Sequence, residues 1–150
     1  MKLRSAKNQF LNRATFGPTE SSIAHLKNVG YKAWISAQLL LPPTFMLNET
    51  RKQNPPRWGE HVNSWLKVAT RADDQLRQRV AYALSQFFVV SDQGCPGGQQ
   101  AALLNYYDIL IANSFRNFRE LVPIQKQGVA RLPHVREISS TTCGRLVIHK

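Results

Sequence analysis

"DDQLRQRVAYALSQFFVVSD", residues 73–92, carries the most regular pattern in the chain. Leu76, Val80, Ala83, Leu84, Phe87 and Phe88 recur at helical spacing and make one broad apolar face. Asp73 stands where an N-cap is wanted. Arg77 follows it by four residues, the spacing at which opposite charges meet on a helix. "FFVV" has the composition of a strand but keeps the helical register, so it reads as the buried end of the same helix. The stretch predicts a helix with a core-facing side. It also raises the functional question of the chain: whether Arg77 and Arg79 bind a ligand or only fringe a core helix.

Upstream, Phe10, Leu11 and Ala14 predict a short helix over Ser5–Thr15, broken by the "GPT" at 17–19. Thr19 is placed to cap the next helix, and Glu20 in its first turn suits the positive end of the helix dipole. Ile23, Ala24 and Leu26 supply that helix's apolar side. Gly30 is expected to close it as a left-handed C-terminal cap. A third helix carries Tyr31, Trp34, Ile35, Gln38 and Leu39, and Pro42 and Pro43 end it because proline lacks the N–H. Residues 42–57 read as a loop. Trp58, Val62, Trp65, Leu66 and Ala69 then predict a helix that buries two tryptophans.

Downstream, "DQGCPGGQQ" is a loop, and Leu103, Leu104, Tyr107, Leu110, Ile111 and Ser114 line one face of a helix over Ala101–Phe118. The fold class this implies is all-α: an irregular assembly of about six helices joined by short connections. From residue 121 onward no period of either kind is sustained. The expected organisation is a partial helical domain over residues 1–122, followed by an irregular, poorly structured basic tail over 123–150.

The chain has 150 residues, 43% of them hydrophobic, which is enough for one packed core. Its net charge of +11 raises the prospect of a polyanionic partner. The positive residues are mostly isolated, however, and no run of five occurs. A footprint for nucleic acid needs clustering, so no specific nucleic acid is expected. Cys95 and Cys143 belong to no CxxC pattern. "MKLRSAKNQFLNRATFGP" lacks an apolar run of signal-peptide length, and nothing approaches the roughly 18 apolar residues of a membrane span. The expectation is a chain without a membrane span, cytoplasmic by default.

No phosphate-binding glycine loop, HExxH or GxSxG is present. His25, His61, His134 and His149 are far apart, and Glu60 beside His61 points in a different direction on a helix, so no metal site and no cofactor are expected. Cys95 reads as an ordinary loop cysteine, and Ser85 as a hydrogen-bonding residue of its helix. The candidate binding residues are Arg77, Arg79, Asp92 and Asp108. Arg77 and Arg79 sit about 200° apart around a helix and cannot share one patch, which favours a packing role for them. Tyr106, Tyr107 and Trp58 are candidates for a groove, but aromatics at this spacing usually belong to a core.

Four blocks carry a resemblance. "FLNRATFGPT", "GYKAWISAQLLLPP", "DQLRQRVAYALSQFFVVSD" and "YYDILIANSFRNFRELV" occur in this order. Together they resemble the N-terminal region of the bacterial domain of unknown function 1800 family, over about residues 8–122. The resemblance implies a larger, mainly helical protein and no established activity. It also implies relatives that are often exported and often encoded beside a sulfatase-like partner family. Two features depart from the family pattern: the acidic "DENYARE"-like motif that follows in relatives is missing, and the tail after Val122 matches nothing in the family. We hypothesise that a frameshift produced the tail. The nucleotide sequence decides this, because a gene whose neighbouring frames lack the family continuation rules it out.

These observations favour a non-catalytic interaction or scaffold piece. Two other readings stand beside it: part of a hydrolase-like enzyme whose catalytic residues lie in a C-terminal portion not present here, and a small basic anion- or nucleic-acid-binding module. Leu103, Leu110, Phe87, Trp58 and Trp65 are expected in the core or at an interface rather than on a ligand.

Overall fold

The computed structural model describes residues 2–50, 60–88, 100–117 and 119–121. Six helices run in chain order: α1 (Lys2–Ala14), α2 (Glu20–Leu40), α3 (Met46–Thr50), α4 (Glu60–Arg71), α5 (Gln75–Phe87) and α6 (Gln100–Ala112). A further helical stretch covers residues 119–121. No strand occurs among the described residues, so the all-α class holds. Residues 123–150, with Trp58, Asp92, Cys95 and Cys143, lie outside the described residues.

The helix of the opening quotation is the hub. α5 packs against α1, α2, α4 and α6. Two apolar clusters flank it. The smaller joins Leu11, Ala14, Leu26 and Trp34, with Phe10, Ile23 and Leu76 packed on it. Phe10 meets Tyr31 and Trp34 edge-on at 4.9 and 5.4 Å, the geometry that ring quadrupoles favour. The larger cluster joins Met46, Val68, Ala81, Leu104, Tyr106, Leu110, Ile111 and Leu121, with Trp65, Leu84, Phe88 and Tyr107 against it.

The local signals act as expected at Thr19. Its hydroxyl accepts from the Ser22 N–H at 3.1 Å, and the Ser22 hydroxyl lies 2.9 Å from the Thr19 N–H, a reciprocal capping box. Leu41, before Pro42, turns extended (φ −62°, ψ 140°), because a residue preceding proline is driven out of the helical region. Gly30 divides α2 into two helical halves at the expected junction. Its φ of 79° is positive as a left-handed cap requires, but its ψ of 167° takes it out of the left-handed helical region into a conformation open to glycine almost alone, and the result is a kink.

Four expectations are corrected. The 42–57 stretch contains a short helix, α3, where a loop was expected. The N-cap position of α5 belongs to Asp74 rather than Asp73, and its side chain makes no capping hydrogen bond. Arg77 accordingly pairs with Asp74, Nε to Oδ2 at 3.8 Å, one residue short of the expected spacing. α6 ends at Ala112, six residues before Phe118, where Asn113 and Ser114 turn their side chains back to the carbonyls of Ile109 and Leu110.

The apolar face expected of α5 holds in part, with Leu76, Leu84 and Phe88 packed on the two clusters, and is corrected at its innermost positions. Asp74, Gln78 and Ala81 are its buried positions, whereas Ala83 is exposed and Phe87 is 74% exposed. Along α4, Val62 and Leu66 are likewise exposed, and Ser64, Val68 and Ala69 take the interior. Polar residues occupy the innermost stripe of α5 because the backbone they face carries donors and acceptors that need partners.

Candidate functional site

That backbone is the linker between α2 and α3. Asp74 is 1% exposed, and its Oδ2 accepts from the Thr44 N–H at 3.0 Å and from the Gln78 amide at 3.1 Å. Gln78 also donates to the Thr44 carbonyl at 2.9 Å. Arg77 reaches the Leu41 carbonyl through Nη2 at 3.1 Å. From α6, Asp108 accepts from the N–H groups of Met46 and Leu47 at 2.7 and 3.1 Å. It thereby caps the first turn of α3 from a different helix, satisfying donors that α3 cannot satisfy itself. Burial pushes the Asp108 carboxyl above its ordinary value, against the lowering effect of these two hydrogen bonds.

Three of the four candidate residues are thus placed. Arg77 is engaged with Leu41 and Asp74, and its guanidinium lies over the Phe115 ring, 4.6 Å from the centroid. Arg79 points elsewhere, over Phe16 at 5.2 Å and Tyr82 at 5.7 Å. Asp108 grips α3. Asp92 lies outside the described residues. The structure does not gather these groups into one pocket. Asp74 and Gln78, which do converge, gave no sequence signal beyond their helical spacing, because their partners lie 30 and 34 residues away.

A cleft of about 510 Å³ opens between α4, α5 and α6, with Met46 in its lining. α4 contributes His61, Val62 and Trp65 to it, and α5 contributes Tyr82, Ser85, Gln86 and the adjoining Phe88. α6 closes it with Leu103, Leu104, Tyr106 and Tyr107. None of Arg77, Arg79 or Asp108 lines it. The wall carries two directed hydrogen bonds. The Trp65 indole N–H donates to the Tyr107 oxygen at 3.0 Å, and the Ser85 hydroxyl donates to the Tyr82 carbonyl at 2.7 Å. Burial pushes the Tyr107 phenol up to about 12 and outweighs the lowering influence of Trp65 and Ser85. At neutral pH the cleft therefore faces an un-ionised phenol.

Aromatic packing holds the wall in place. Phe16 meets Trp65 edge-on at 5.5 Å and Tyr82 at 5.9 Å, and Trp65 and Tyr82 lie 5.6 Å apart. Tyr106 and Tyr107, the sequence's groove candidates, both face this cleft, although Tyr106 is itself buried and donates to the Phe88 carbonyl. Among the described residues no group of three or more His, Cys, Asp or Glu is placed to hold a metal ion, and no helix is long and apolar enough to cross a membrane.

No curated protein and no solved structure matches the chain. The family model described as "Protein of unknown function (DUF1800)" matches residues 9–127, five residues beyond the span that the four sequence blocks cover, and leaves 128–150 outside. With most of its length under that match, and with the helices that carry the four blocks packed around α5, the chain belongs to the DUF1800 family.

Proposed function

We infer that this helical segment works as a non-catalytic scaffold and interaction piece, and that the kinked outer half of α2 is the surface it offers. The supporting observation is the exposure there. Tyr31, Ile35 and Leu39, at i, i+4 and i+8, are 41%, 36% and 46% exposed, and Leu40 is 86% exposed. A contiguous apolar stripe of this kind marks a place where another protein packs. The charged groups buried near the hub support the same reading. Asp74, Arg77 and Asp108 hold the chain's own backbone, a structural use of groups that an active site would turn towards a substrate.

The partner of this reading is a sulfatase-like protein of the kind that the family resemblance implies. Titration calorimetry of the purified chain against such a protein, encoded beside a family member, tests it. Leu39→Glu together with Leu40→Glu alters side chains that are already exposed and should weaken binding at least tenfold. Binding that is absent, or indifferent to this pair of changes, overturns the reading.

A further inference from the structure

We propose that the cleft between α4, α5 and α6 is a binding site for a neutral, predominantly aromatic small molecule. The argument starts from charge. The chain carries +11 overall, yet no Lys, Arg, Asp or Glu lines the cleft among the described residues. Among the described lining residues only the His61 imidazole could meet an ionic group, so a charged ligand entering there would lose its hydration and find no fixed counter-charge. Tyr107, bonded to the Trp65 indole on the wall, is an un-ionised phenol at neutral pH, and burial pushes it further from ionisation.

Shape and polarity complete the case. A volume of about 510 Å³ falls within the roughly 300–1,000 Å³ of small-molecule sites. Trp65, Tyr82, Phe88 and Tyr106 offer ring faces and edges suited to an aromatic guest. The Trp65 indole N–H is already committed to Tyr107 and the Ser85 hydroxyl to the Tyr82 carbonyl, so these wall donors are satisfied from within. Such a wall needs little from its ligand beyond apolar area. The mouth is where Val62 and Gln86, both exposed, stand on opposite helices.

Two fluorescent probes of matched size separate this site from non-specific adsorption. N-phenylnaphthylamine is neutral, and anilinonaphthalene sulfonate is an anion that a basic chain attracts anywhere on its surface. The cleft should bind the neutral probe saturably at one per chain, at least tenfold more tightly than the anion. Val62→Glu and Gln86→Glu each place a charge at the mouth, on side chains too exposed to endanger folding, and each should weaken the neutral probe at least tenfold. Leu66→Glu, one turn along α4, equally exposed and outside the cleft, should leave it unchanged. Preference for the anion, absence of saturable neutral binding, or equal effects of Val62→Glu and Leu66→Glu would each overturn the proposal.

Discussion

Asp73 and Asp74 are neighbours of the same type with opposite fates. Asp73 is exposed, and only its backbone carbonyl is used, by the Gln38 amide at 3.0 Å. Asp74 is buried and serves Thr44, Gln78 and Arg77 together. Asp74→Ala should therefore cost about 3 kcal/mol, since it strands two donors and deprives a largely buried guanidinium of its counter-charge. Asp74→Asn keeps an acceptor oxygen and should cost less than half of that. Asp73→Ala should stay within about 0.5 kcal/mol. Urea unfolding followed by circular dichroism measures all three, and equal losses at Asp73 and Asp74 would contradict this account. The sequence favoured Asp73 because a one-residue choice of cap rests on local pattern alone. What decides between the two aspartates is Thr44, and Thr44 is 30 residues away.

The elements were legible where their signal is periodic and local. α5 and α6 follow from apolar spacing, and the Thr19 capping box and the Pro42 stop follow from short-range chemistry. α3 did not follow from them, because its first N–H groups are satisfied by Asp108, some 60 residues on. The inner stripe of α5 was misread for the same reason. Apolar residues mark the inside only when nothing polar has to be met there. Gly30 gives a test at this scale. No atom lies within 4 Å of where its Cβ would stand, so Gly30→Ala meets no steric obstacle and its whole cost is backbone. At φ 79° that cost should be about 1–3 kcal/mol. Gly17→Ala, equally open around its Cβ and without a positive φ, should be close to neutral. Comparison of the two melting temperatures checks this, and a Gly30→Ala protein as stable as Gly17→Ala would show that α2 straightens without penalty.

For the whole molecule, net charge and architecture point in different directions. A value of +11 suggests a polyanion partner, but the two arginines of the hub helix are turned onto Phe115, Phe16, Tyr82 and the Leu41 carbonyl. Retention on a heparin column should accordingly vanish by an ionic strength of about 0.15 M, where the Debye length is roughly 8 Å. Persistence well above that would favour a basic binding module. The cleft was only partly legible: Tyr106 and Tyr107 stood out as aromatic, but its wall joins Trp65, Ser85 and Tyr107 from three helices, and no spacing along the chain encodes that meeting. The segment 41–47, the linker with the first two residues of α3, carries a consequence for how the protein is made. Its N–H and carbonyl groups are matched by Asp74, Arg77, Gln78 and Asp108, all synthesised later. With domains forming as units while translation proceeds at about 5–20 residues per second, the ribosome must add some 60 residues after Met46 before its last clamp exists. During those seconds the nascent N-terminal half is exposed to chaperones and proteases, and the arrival of α6 closes that interval.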